Sequence, residues 1–198
     1  MTEIPRGRSE THDIDRHLLR YVVELPHPMV RVWHAVATPE GLARWLYGAD
    51  PLEPRLGGRV TFRRPDGAEA ARGRVTAWDP EYIAEYTIDP PGPDSGTDTG
   101  TDTADTADLP RGRIRFHLEP GPDDATGSAV LRFTAEFRGT QEARLDRLAS
   151  WHDRLERLAA VLDEALAGNG AKRAPGAHRR ELREAYARDE ALWPVWEP

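Results

Sequence analysis

The polar residue best placed to do chemistry is His152, which falls on the apolar stripe of a segment running from Arg144 to Ala167. An imidazole titrates near neutrality, so it can donate a hydrogen bond to a ligand or serve as a general base. The alternative is a buried histidine satisfied by a backbone carbonyl or a tyrosine hydroxyl. No partner acid is visible in the sequence, which favours that alternative. Tyr21, Tyr82 and Tyr86 lie on apolar rows of predicted strands and are the candidate polar partners. Other catalytic signals are absent: there is no G-x-S-x-G, no H-E-x-x-H and no phosphate-binding glycine loop. With no cysteine in the chain, disulfides, thiolate metal sites and a cysteine nucleophile are excluded. His12, His17, His27, His34, His117 and His178 show no metal-ligand spacing, and Asp153 and Glu156 beside the stripe read as solvated. No catalytic residue, metal or cofactor is therefore expected.

These residues need elements to position them, and the hydrophobic periodicity supplies them. Leu145, Leu148, His152, Leu155, Ala159, Leu162 and Leu166 recur at spacings of three and four, widened by Trp151 and Leu158. That is an amphipathic helix of roughly six to seven turns, ended by Gly168-Asn169-Gly170. Six rows alternate with period two: Leu19-Tyr21-Val23-Leu25, Val60-Phe62, Gly73-Val75-Ala77, Tyr82-Ala84-Tyr86-Ile88, Ile114-Phe116-Leu118 and Leu131-Phe133-Ala135-Phe137. Such alternation predicts an antiparallel sheet with one wet face. Arg59, Arg63, Arg72, Arg74, Arg113, Arg115 and Arg132 fall on that outer face. They are either a docking surface for an acidic partner or the chain's own Asp-rich loop, or a solvated face laced with Glu and Asp; the last is the usual case.

Between the first two predicted strands, Pro28 opens one short helix and Thr38-Pro39-Glu40 begins a second, with threonine as N-cap and proline at N1. Pro65-Asp66-Gly67 is a hairpin turn signal. The predicted order is strand, two short helices, five strands, long helix: an α+β helix-grip fold, a curved antiparallel sheet around a long C-terminal helix. After a linker at 172–176, Ala177 to Ala191 can form one more helix, with Leu182, Tyr186 and Trp193 along one side. Trp193 and Trp196 are expected to cap the domain or to meet another subunit.

The chain has 198 residues, 38% of them hydrophobic, with a net charge of −7 and a mean hydropathy of −0.67. One domain at residues 18–168 with polar tails accounts for this. Residues 1–17 are expected to be flexible, and 169–198 to be a linker and extra helix. The stretch 90–110 is predicted to be a disordered acidic insertion; Asp94, Asp98, Asp102, Asp105 and Asp108 concentrate the excess negative charge there. A pI near 5.5 argues against nucleic-acid binding. No run is long and apolar enough to span a membrane, and without an apolar N-terminal h-region the cytoplasm is the expected compartment.

Pro28, Val32-Trp33, Ala35, Pro39-Glu40, Leu42 and Trp45 resemble the P-x-x-x-V-W-x-A-x-x-x-P-E-x-L-x-x-W opening of activator-of-heat-shock-protein-90-ATPase-like domains. These belong to the START/polyketide-cyclase (SRPBCC) superfamily. Leu56-Gly57-Gly58 before a strand, and Trp151-His152 with Leu155, Leu158 and Leu162 on the last helix, resemble the family as well. The likeness spans Leu18 to Leu166, with the Asp/Thr loop as an insertion and no counterpart after Gly170. It implies a cavity between sheet and long helix, with Trp33, Trp45, Tyr82, Tyr86, Phe116, Phe133, Trp151, His152 and Leu155 as its expected lining. Aromatic walls with a few polar groups suit a small apolar ligand; these side chains can equally fill the space themselves. The expected function is non-enzymatic binding of such a ligand. The resemblance also implies two alternatives: a chaperone-associated ATPase activator, or a cyclase or dehydratase using His152 and a cavity tyrosine.

Overall fold

The computed structural model describes residues 2–90, 109–122, 127–167 and 177–192. The acidic stretch 91–108, Gly168-Asn169-Gly170, the 172–176 linker, Trp193 and Trp196 lie outside the described residues, as does the side chain of Leu166.

The strands are β1 (Arg8–Thr11), β2 (Arg16–Leu25), β3 (Gly48–Leu52), β4 (Arg59–Arg63), β5 (Glu69–Asp79), β6 (Ile83–Ile88), β7 (Gly112–Pro120) and β8 (Ala129–Arg138). They form one antiparallel sheet in the order β1-β2-β8-β7-β6-β5-β4-β3. Helices α1 (Met29–Ala37) and α2 (Pro39–Ala43) follow β2, and α3 (Gln141–Ala167) and α4 (Ala177–Leu192) end the described chain. This is the curved sheet and long helix of the helix-grip fold.

Register lines up the alternating rows. Tyr21 faces Phe133 across β2 and β8, Phe133 faces Phe116, and Phe116 faces Ala84 on β6. All four are buried, so the inner face carries a continuous row across four strands. Covering it is α3, whose Trp151, Leu155, Leu158, Ala159 and Leu162 are each no more than 3% exposed. α3 starts three residues before the predicted Arg144 because the Thr140 hydroxyl caps it, accepting from the Ala143 N–H at 3.1 Å. In α2 the Thr38 hydroxyl accepts from the Gly41 N–H at 3.1 Å, with Pro39 at N1, as the sequence predicts. Gly67 takes the left-handed φ of +85° in the β4–β5 turn, a conformation that glycine adopts without steric cost.

Four features differ from the sequence expectation. Residues 1–17 are not merely a tail: Ser9 pairs with Leu19 across β1 and β2, and Ile4 is 5% exposed. The polar sequence RSET hides this strand, because an edge strand can be held by backbone pairing with little apolar contribution. β3 was also illegible, since GADPL does not alternate and its ladder with β4 is irregular between Ala49 and Leu52. A register shift between Val75 and Ala77 leaves Ala77 only half-buried. Finally, Tyr82 lies in the turn before β6, where its N–H donates to the Asp79 carbonyl, and its side chain is 47% exposed.

Deleting residues 2–11 is expected to lower unfolding free energy by about 2–4 kcal/mol, from the lost Ile4 burial and β1 pairing. Urea denaturation of the truncated and full chains measures it, and equal stability would show that the segment is not seated.

Candidate functional site

Two regions carry functional chemistry: the aromatic interior between sheet and α3, and a polar cluster where α4 and the N-terminal segment close over α3.

In the interior, rings follow one another from Phe62 to Tyr86 (centroids 6.0 Å apart), Tyr86 to Phe116 (6.4 Å), Phe116 to Phe133 (5.2 Å) and Phe133 to Trp151 (4.4 Å). Trp45 meets Phe116 edge-on at 6.0 Å, and its indole N–H donates to the Ala35 carbonyl at 2.9 Å. Trp45, Tyr86, Phe116, Phe133, Trp151 and Leu155 are thus gathered in the interior, all buried. Trp33 is only partly buried and lies against Trp78 at 5.1 Å. Tyr82 is outside this group. The Tyr86 hydroxyl is buried without a hydrogen-bond partner, as is Ser150 Oγ on α3. Burial pushes the Tyr86 phenol far above the usual tyrosine range, so it stays a neutral donor. Rings fill the centre of the grip. A groove of about 270 Å³ lies outside it, lined by Val30, His34, Gly41, Arg44 and Val161 among others.

The polar cluster is built on His152. Its Nδ1 lies 2.8 Å from the Tyr186 hydroxyl, which accepts the Gly7 N–H at 2.9 Å and stands 3.5 Å from the Tyr21 hydroxyl. Tyr21 spends its proton on the Leu148 carbonyl at 2.6 Å. Gly7 crosses the Tyr21 ring so closely that a Cβ there would fall 2.3 Å from it; only glycine allows this approach. Burial raises the Tyr21 phenol, with Tyr186 adding to the effect, and burial also raises Tyr186. Burial lowers the His152 pKa below its ordinary 6.5, opposed by the neighbouring Glu156 carboxylate. The imidazole is therefore neutral at pH 7.

Of the tyrosines expected beside His152, only Tyr21 comes near, its ring 6.3 Å away; the direct partner is Tyr186, 34 residues along the chain. The Leu182 and Tyr186 pattern was visible in the sequence, but not its docking point. Other histidines hold structure: His17 Nε2 lies 2.9 Å from the Gly139 carbonyl, and His27 Nε2 lies 2.9 Å from Asp163 Oδ1. Asp153 and Glu156 are not simply solvated. Asp153 pairs with Arg157, and Glu156 Oε2 lies 2.5 Å from His178 Nε2.

Sequence reasoning also missed buried arginines on α3. Arg144, Arg147 and Arg154 are 9%, 6% and 3% exposed. The Arg154 guanidinium lies 4.9 Å from the Trp151 ring and 5.8 Å from that of Tyr47, within cation–π range. By contrast most of the outer-face arginines pair with acids, as expected, among them Arg113 with Glu136 at 2.7 Å, Arg132 with Glu119 at 2.8 Å and Arg72 with Glu69 at 2.8 Å. Arg63 and Arg74 instead donate to backbone carbonyls, of Asp50 and Gly67 and of Gly57 respectively.

The profile described as "Activator of Hsp90 ATPase homolog 1-like protein" matches residues 26–163, from the end of β2 into the last turns of α3. The chain belongs to this family. Solved structures share the helix-grip architecture. CalU16 from Micromonospora echinospora aligns with TM-score 0.61 and 15% identity, over 95% of this chain and 97% of its own. EF2215 from Enterococcus faecalis aligns with TM-score 0.63 and 15% identity, over 94% and 91%. The Aha1 dimer structure from Colwellia psychrerythraea aligns with TM-score 0.52 and 16% identity, over 77% and 98%. The wider coverage by the first two takes in chain beyond the family match. Among curated proteins, none matches. Within the described residues, no helix is long and apolar enough to cross a membrane.

The depressed His152 pKa has a consequence for stability. Between the unfolded value near 6.5 and the lower folded value, the unfolded chain binds more protons, so stability falls as pH falls through that window. Urea unfolding at pH 7.5 and 5.5 is expected to show the loss, and His152→Gln to flatten the slope. An unchanged slope in that variant would assign the dependence elsewhere.

Proposed function

We propose that this protein binds a small, largely hydrophobic molecule carrying one hydrogen-bonding group, between the sheet and α3, without catalysing a reaction. The observation that carries this is the Tyr86 hydroxyl, fully buried among aromatic rings and lacking a partner. A buried unsatisfied hydroxyl costs about 1–3 kcal/mol, and a ligand carbonyl or hydroxyl beside it would recover that cost. Trp45, Phe116, Phe133, Trp151 and Leu155 supply the apolar surroundings, and Ser150 Oγ offers a second unsatisfied polar atom.

Entry requires the rings to move. The wall carrying Phe62 and Tyr86 supports this, because its ladders shift register between Phe62 and Arg63 and between Val75 and Ala77. Irregular ladders interrupt regular pairing. Family membership is consistent with a ligand-binding domain. A catalytic role for His152 is less well supported, since its Nδ1 faces Tyr186 on α4. Partnership with a heat-shock ATPase is favoured by the family description alone; unchanged turnover of that ATPase on adding this protein would remove it.

Thermal-shift screening with fatty acids, sterols and aromatic polyketides is expected to find at least one stabilising ligand. Tyr86→Phe should leave the unliganded protein as stable or more stable, and weaken that ligand about 2- to 12-fold, the worth of one hydrogen bond. No shift across the panel, or equal affinity in Tyr86→Phe, counts against the proposal.

A further inference from the structure

We propose that His152, Glu156, His178 and Asp153 form a site for a divalent transition-metal ion of the zinc class, which fastens α4 to α3. The coordinating atoms of Asp153, Glu156 and His178 lie within 4.8 Å of one another. His152 is outside that mutually close set, but its Nε2 stands 3.7 Å from Glu156 Oε1, one helical turn away, and a side-chain rotation would bring its imidazole to the ion as a second nitrogen donor. Two nitrogens and carboxylate oxygens are a donor set that zinc accepts in tetrahedral geometry.

His152 is the observation that points to a ligand. The residue is only 5% exposed, and Nδ1 is held by Tyr186. Nε2 faces the Glu156 carboxylate from a distance too long for a hydrogen bond. Two donor atoms each about 2.1 Å from a tetrahedral zinc stand roughly 3.4 Å apart, so the observed separation suits a shared ion better than direct contact. The hydrogen bond at Nδ1 is the outer-shell support that metal-bound histidines carry. With Nδ1 donating to the Tyr186 oxygen, the Nε2 lone pair is available, and Tyr186 can turn its own proton towards Tyr21.

Two further polar neighbours are compatible. Arg157 takes Asp153 Oδ2, which leaves Oδ1 for an ion. Glu181 lies 3.8 Å from His178 Nδ1, on the side away from Glu156. Without an ion, His178 Nε2 sits 2.5 Å from Glu156 Oε2; a metal would take the place of the proton between them. His178 stands at the start of α4 and the other three ligands on α3, so coordination would tie the two helices directly.

The test uses the full-length chain stripped with EDTA and titrated with zinc chloride by calorimetry, with cobalt(II) absorption reporting geometry. One ion per chain is expected, with tetrahedral cobalt bands. At a hundred times Kd, the melting temperature should rise by roughly 5–10 °C. Glu156→Gln and His178→Ala should each weaken binding about tenfold or more, with unchanged far-UV circular dichroism. Glu156→Gln is nearly isosteric and keeps the test decisive if His178→Ala misfolds. No binding up to about 0.1 mM zinc, or native affinity in Glu156→Gln, overturns the proposal.

Discussion

The structure depends on α3 burying more than one of its faces. A helix of 27 residues is about 40 Å long, and the sheet can wrap only one side of it. Trp151 stacks into the sheet's aromatic row through Phe133. A large aromatic side chain buries about 150–250 Å², worth roughly 4–6 kcal/mol at 25 cal/mol per Å² as an upper bound. The next residue, His152, is turned towards α4 and is buried too. A polar group there must be satisfied, and both chain ends serve it. α4 brings Tyr186, and the N-terminal segment brings Gly7. Extra elements beyond the family match, from residue 26 to residue 163, thus complete the core.

That closure sets the character of the interior. Rings from Phe62 to Trp151 pack against one another, and Trp45 spends its indole N–H on α1. Among the buried polar atoms left without a partner is the Tyr86 hydroxyl, whose pKa burial raises. A phenylalanine would fill the same space without the desolvation penalty. The hydroxyl is therefore a feature that packing alone does not explain, and a ligand reading does. The outer sheet face follows the opposite logic: most of its arginines pair with acids in water, where each pair contributes little.

Much of this was legible in the residues. The rows from Leu19 to Leu25 and from Leu131 to Phe137 alternate strictly, and period-two patterning is robust when one face is buried. The stripe on α3 and the Thr38-Pro39 start of α2 are equally local signals. Where the signal was not local, it failed. RSET became β1 and GADPL became β3, because edge pairing is fixed by the neighbouring strand. Tyr82 left its row because a turn with Glu81 at a φ of 70° precedes β6.

By itself the sequence determined the fold class, the inner face of the sheet and the burial of His152, since each depends on spacing within one element. Only the tertiary structure decided what His152 meets. Tyr186 is 34 residues away, Gly7 is 179 residues from Tyr186, and His178 is 22 from Glu156. No periodicity encodes those distances; they arise when α4 and the N-terminal segment are packed against the same side of α3. The long helix was therefore predictable as a lid on the sheet, whereas its second, polar face had to be seen folded.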